Sequence, residues 1–174
     1  MNTHIIIQKY TSPCGDLVLG TFGDRLCMCD WMQSKKHDTN LSRLSRMLDA
    51  EFTEGTSPVI GKSVSQLNEY FAGLRRDFDV PMQFAGTEFQ KKVWKTLLTI
   101  PYGHTISYGE MARLIGMPSA VRAVAAAVGA NAISIIAPCH RIIGRSGSLT
   151  GYAGSIEAKR FLLELERQPA ALTP

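Results

Sequence analysis

A thiol, an imidazole and a guanidinium follow one another at Cys139-His140-Arg141, directly after the apolar run Ile135-Ile136-Ala137 and Pro138. Thiolate, not thiol, attacks electrophiles, and a free cysteine titrating near ~8.5 is only a few per cent ionised at neutral pH. A neighbouring base or cation raises that fraction. The pattern therefore predicts a buried strand that delivers an activated nucleophile at its end. The same residues also fit a buried structural cysteine followed by two surface residues, because adjacent strand positions face opposite ways.

A carboxylate lies further along. Ala158, Phe161, Leu162 and Leu165 repeat at helical spacing, and Glu166 falls on the same stripe. On the buried side of a helix it needs a partner; at a frayed end it would simply be solvated.

The elements that must position these groups are legible upstream. Thr87-Glu88-Phe89-Gln90 is a capping box, and Phe89, Val93, Trp94, Leu97 and Leu98 form one apolar stripe that stops at Pro101 and Gly103. A second box, Ser107-Tyr108-Gly109-Glu110, opens a short helix ended by Gly116. Pro118 reads as a first-turn proline, with a helix running from there to Gly129. Two short helices around a glycine turn make a helix-turn-helix pattern, which ordinary helical cores also use. From Ala120 to Ala130 the only charged residue is Arg122. A reader of base edges in the major groove would project several polar side chains, so this smooth helix suits either core packing or close backbone approach without a base code.

In the first half, His4–Tyr10, Leu17–Phe22 and Leu26–Trp31 read as strands of an antiparallel meander. Asn40–Phe52 reads as a helix, and Ser63-Val64-Ser65-Gln66 as a capping box opening a helix to about Arg75. Phe78–Met82 reads as a returning strand, and a linker is expected around Pro81–Gly86. Cys27 and Cys29 alternate with Met28 and should share one strand face. No second pair stands near them, so zinc ligation is not expected. Four cysteines make no disulfide framework in a chain of 174 residues. Composition is that of an ordinary globular protein, 45% hydrophobic and 20% charged. The chain has neither a membrane-length apolar run nor a signal-peptide core, so a cytoplasmic location is expected, without membrane attachment. Net charge is +4, but unevenly placed: residues 1–82 carry 9 basic and 10 acidic side chains, residues 83–174 carry 10 and 5. The basic half is the one that would face phosphates, although a solubilising surface has the same signature.

Pro-Cys-His-Arg, then Ile142-Ile143-Gly144 and Thr150-Gly151-Tyr152-Ala153-Gly154, downstream of the helix pair, resembles the active-site segment of the O6-alkylguanine-DNA alkyltransferases, the methylated-DNA–protein-cysteine methyltransferases. The resemblance is close from Thr87 to Glu166 and loose before that. It implies an α+β fold: a small ribonuclease-H-like α/β domain over 1–82, a winged-helix or helix-turn-helix alkyltransferase domain over 87–167, and a flexible tail at 168–174. It implies stoichiometric transfer of an alkyl group from O6 of guanine, and O4 of thymine, in duplex DNA to Cys139. The base flips into the site and the protein inactivates itself irreversibly. Neither cofactor, nor metal, nor obligate protein partner is implied. Some relatives carry a structural zinc, but the matching Cys/His set is absent from this sequence.

Roles follow from the same resemblance. His140 removes the thiol proton through water, and Glu166 orients and charge-balances His140. Tyr108 hydrogen-bonds the base, and Lys159 bonds the active-site loop and polarises the base. Arg122 is the finger that fills the flipped nucleotide's place, on a helix that lies in the minor groove with Ala120, Ala123 and Ala125 at the contact. Asn131 is the hinge tying turn backbone to the cysteine loop; an ordinary helix cap would look the same. Tyr152 stacks over the alkyl group, Ala153 backbone lies near O6, and the Ile142 carbonyl lies near the exocyclic amine. Ser134 and Thr150 are pocket-rim positions. Many relatives have serine where Ala153 stands, so that hydroxyl is missing here. A thiol hydrolase built on Cys139 and His140 is the rival enzyme reading, but it leaves Arg122 and the uncharged helix unexplained. A non-catalytic DNA-binding regulator is the rival binding reading, and the retained cysteine argues against it.

Overall fold

The computed structural model describes residues 2–149 and 151–169. Thr150 and residues 170–174, most of the expected tail, lie outside the described residues.

The three expected strands form: β1 (His4–Ser12), β2 (Gly15–Phe22) and β3 (Arg25–Trp31) pair antiparallel in sequence order. Helix α1 (His37–Leu48) then leads to β4 (Glu51–Glu54), which pairs parallel to β1, so the sheet runs β3-β2-β1-β4. The helix expected to reach Phe52 stops earlier. Asp49 adopts a left-handed cap at φ 49°, and Phe52 joins the sheet instead. The pairing slips between β2 and β3: Gly20 faces Met28 while Thr21 faces Leu26, leaving Cys27 as an extra bulged residue. The expected shared face of Cys27 and Cys29 is thereby lost. Cys27 packs with Met28 under α1, and Cys29 packs with Leu26 on the opposite side.

Helix α2 (Pro58–Phe71) begins five residues before the Ser63 box and ends before Arg75. Ser57 caps it by accepting from the Ile60 N–H, with Pro58 at the first helical position, and that start signal prevails. Ser63 is interior, its hydroxyl donating to the Val59 carbonyl at 2.8 Å. Phe78–Met82 is no strand of the sheet. It runs beside β3 through two bonds, Leu26 N–H to Pro81 O and Gln83 N–H to Leu26 O, both 2.8 Å. Pro81 has no N–H to extend the ladder.

Both later capping boxes form as expected. Thr87 and Gln90 open α3 (Glu88–Leu97), and Ser107 and Glu110 open α4 (Tyr108–Leu114). Leu98, expected on the α3 stripe, is exposed just past the helix end. Helix α5 (Val121–Gly129) starts later than expected. Pro118 sits in the preceding turn, where the Ala120 N–H bonds the Met117 carbonyl. A two-residue β5 (Ile106–Ser107) pairs with β6 (Ile142–Ile143), and α6 (Ile156–Arg167) closes the described chain.

The two halves share a core. Tyr10, Leu17, Trp31 and Tyr70 pack with Ile133, Ile135, Ile136, Ala158 and Leu162, while α3, α4 and α5 enclose a second cluster that contains Cys139. Arg43 of α1 also crosses over. It donates to the Ala85 and Ala130 carbonyls at 3.0 and 2.8 Å and lies over the Trp94 ring, whose own N–H binds the Ala127 carbonyl. A cation thus sits at the carbonyl end of α5, where the helix dipole favours it. Among the described residues no helix is long and apolar enough to cross a membrane.

Candidate active site

The segment before the thiol is not the strand expected. Asn131 to Pro138 folds as consecutive tight turns: the Ala137 N–H bonds Ile133 O, and Ile136 N–H bonds Ser134 O. Ile135 takes φ 71°, a left-handed conformation that strains a β-branched residue by roughly 1–3 kcal/mol. Asn131 holds these turns from inside. Its amide donates to the Ile133 and Ala137 carbonyls at 3.2 and 3.0 Å and its carbonyl accepts from the Ile133 N–H, all fully buried. The segment also docks on the open edge of β3, where the Cys29 N–H bonds Ala132 O and the Ser134 N–H bonds Cys29 O. Cys139 then opens one turn of 3-10 helix, Cys139–Arg141.

All three residues of that turn are buried, so the reading with a surface His140 and Arg141 fails. Glu166 is the hub. Its carboxylate accepts from His140 Nε2 at 2.7 Å, Tyr70 Oη at 2.6 Å, Arg141 Nε and Nη2 at 2.8 and 3.0 Å, and the Gly103 N–H at 3.3 Å. Burial alone would raise this carboxyl, but the bonds and charges of His140 and Arg141 hold it well below the usual carboxylate range. An ionised Glu166 fixes the proton of His140 on Nε2. Nδ1, buried and without a hydrogen-bond partner among the described residues, is left as a base. Burial lowers His140, opposed by Glu166.

Burial raises the Cys139 thiol, while Asn131, the Lys159 ammonium and Ser134 favour the thiolate. Among the described residues the Ser134 hydroxyl makes no hydrogen bond of ordinary geometry, so its influence is one of proximity. A cation favouring the thiolate is thus Lys159, while the adjacent Arg141 binds Glu166. Lys159 is fully buried on α6, its ammonium donating to the Ile142 carbonyl at 2.5 Å and lying 5.8 Å from the Tyr152 ring centre. Its burial rules out a merely solvated helix charge.

The sequence profile of the 6-O-methylguanine DNA methyltransferase ribonuclease-like domain matches residues 5–84, and that of the DNA binding domain matches residues 88–168. The methylated-DNA–protein-cysteine methyltransferase of Mycobacterium tuberculosis is 50% identical over 166 residues, 93% of each chain. The chain belongs to the 6-O-methylguanine DNA methyltransferase family. The constitutive methylated-DNA–protein-cysteine methyltransferase of Bacillus subtilis is 41% identical over 162 residues, covering 90% of this chain and 92% of that one. The crystal structure of Mycobacterium tuberculosis OGT in complex with DNA superimposes with a TM-score of 0.80 at 46% identity, over 95% of this chain and 93% of that one. A ribonuclease-like sheet domain followed by a helical DNA-binding domain is the α+β architecture expected.

In this methyltransferase-family chain, Tyr108 is the first residue of α4, half-buried, and a Cβ on Gly151 would stand 2.7 Å from its hydroxyl. Tyr152 and Ala153 are half-buried in the loop before α6, and Ile142 is buried beside the 3-10 turn. On α5, Arg122 and Ala123 are exposed, Ala125 is half-buried, and Ala120 caps the helix, also half-buried. Tyr70, Gly103 and Trp31 were not identified from the sequence as site residues. Trp31 donates its indole N–H to the Tyr152 hydroxyl at 3.1 Å. The one available signal was chemical: a tyrosine or tryptophan on a buried face requires a polar partner.

Proposed function

We propose that this protein repairs duplex DNA by moving an alkyl group from O6 of guanine, and from O4 of thymine, to Cys139. The observation that carries the reading is the buried His140–Glu166 pair, whose histidine follows Cys139 in the same 3-10 turn and in which an ionised carboxylate leaves Nδ1 of the imidazole as a base for the thiol proton. That proton passes to His140 Nδ1 through water. The sulfur lone pair forms a bond to the alkyl carbon as the carbon–oxygen bond breaks, and the electron pair stays on the base, which takes up a proton. The thioether that remains is inert, so each molecule acts once and needs no cofactor. Tyr108 and Lys159 supply hydrogen bonding as charge develops on the leaving base.

The target atom is out of reach inside a duplex, so the nucleotide is flipped into the pocket walled by Tyr152, Ala153, Ile142 and Ser134. Arg122 fills its place from the exposed face of α5, while Ala120, Ala123 and Ala125 allow that helix to approach the minor groove. What supports this is an exposed arginine on an otherwise uncharged helix, in the half that carries the positive charge. Asn131 holds the turn between that helix and the thiol. The protein works in the cytoplasm without an obligate protein partner, as two units over 1–82 and 87–167.

Intact mass after incubation with a duplex containing O6-methylguanine tests the reading. One added methyl per protein, lost in Cys139→Ser, is expected. Turnover of substrate without a mass gain would sink it in favour of a hydrolase.

A further inference from the structure

Trp31 ends β3, in the half of the chain that holds neither Cys139 nor the helix-turn-helix, yet its side chain reaches the loop before α6. It is 4% exposed and wedged between two glycines. A Cβ on Gly15 would stand 3.1 Å from the six-membered ring, and one on Gly154 would stand 2.8 Å from both the indole nitrogen and the Tyr152 ring, so a larger residue at 154 displaces one or both rings. Besides the hydrogen bond to the Tyr152 hydroxyl, the two rings meet edge-on with centres 6.1 Å apart at 70°.

Tyr152 stands between two spaces. It packs into the cluster that contains Cys139, and burial together with the nearby Cys139 raises its own hydroxyl pKa. It also lines a cavity of about 760 Å³ with Cys14, Asp16, Trp31 and Lys36, and Cys139 does not reach that cavity. The ring is therefore a partition, and the indole fixes where the partition stands.

We propose that Trp31 is a specificity-determining positioning residue: by anchoring Tyr152 it sets the size of alkyl group that reaches Cys139. This rests on the alkyl-transfer reading above. With the anchor in place the pocket is closed toward the cavity and a methyl group is favoured. With the anchor gone, Tyr152 swings toward the cavity and a bulkier group is admitted.

The test compares transfer rates from duplexes carrying O6-methylguanine and O6-benzylguanine in wild type and Trp31→Phe, which keeps a ring but removes the donor. The benzyl-to-methyl ratio should rise about fivefold, the effect of one hydrogen bond of roughly 1 kcal/mol. Tyr152→Phe breaks the same bond from the other side and serves if Trp31→Phe fails to fold. The double variant should change the ratio no more than either single one. A purely structural role would slow both substrates alike. An unchanged ratio in a variant that still transfers methyl overturns the proposal while leaving the function intact; no methyl transfer by wild type overturns the function itself.

Discussion

The hydroxyl of Tyr70 on α2 donates to the carboxylate of Glu166 on α6 at 2.6 Å, across 96 residues of sequence. The sheet half of the molecule thus contributes directly to the charge state of the group that fixes His140. Because Glu166 accepts five hydrogen bonds, its negative charge is stabilised without solvent.

Removing one of those donors has a calculable effect. Tyr70→Phe should lower stability by about 1.5–3 kcal/mol, the range for a hydrogen bond to a charged group, and slow alkyl transfer as Glu166 becomes less firmly ionised. Urea unfolding and single-turnover rates check both. An unchanged stability would mean that the Glu166 shell closes up without the tyrosine.

Glu166→Gln acts on both chemistry and fold. An amide can still orient His140 but cannot stabilise the imidazolium formed when the thiol proton leaves, so transfer should slow and recover in part as pH rises. Arg141 also loses the charge that compensates it, a penalty of about 3–5 kcal/mol for a broken buried pair. Rate–pH profiles well below the variant's melting temperature decide the point. Superimposable profiles would falsify the role given to Glu166.

His140 is pushed below its ordinary value mainly by burial. A group with a lowered folded pKa contributes stability that is present above its unfolded value, near ~6.5, and is lost as pH falls from there. Stability should therefore decline on acidification below about pH 6.5, and His140→Gln should flatten that decline. Denaturant midpoints across that range provide the measurement. A slope retained in full by the variant would assign the decline to other groups.

Arg122→Ala should slow repair of duplex DNA by about tenfold or more, because part of the few kcal/mol spent on unstacking is no longer offset. Reaction with the free alkylated base, which requires no flipping, should keep its rate. Equal slowing of both substrates would place Arg122 in the chemistry or in folding.

Much of this molecule was legible in its residues, and the failures share a cause. The two capping boxes at Thr87 and Ser107, the three strands and the last helix depend on neighbours within a few positions, and all formed, although on that helix Phe161 of the expected stripe is exposed and Leu163 is buried instead. The Ser63 box lost to Ser57-Pro58 because two local start signals competed and the earlier one included a proline. Ile135-Ile136 has the composition of a strand, but Asn131 bonds the flanking Ile133 and Ala137 carbonyls and so holds the run in turns, an arrangement set by one buried amide. Cys27 changed face because of a bulge in the pairing of β2 with β3, which its own neighbours in sequence do not signal. Tyr70 and Trp31 could not be assigned at all. Each is an ordinary buried aromatic until a chain segment about a hundred residues away arrives to meet its polar atom.

The contacts made by Trp31, Arg43 and Tyr70 bear on how such a protein could change over evolutionary time. The helical half holds the thiol, yet its loop, the end of its α5 and its buried carboxylate are each tied to the sheet half. A lineage that discarded the sheet would have to replace three separate polar partners at once, as well as cover the aliphatic face shared with Ile133 and Leu162. Recombination that exchanges one half for a distant counterpart should therefore be tolerated only where these three cross-links travel with it.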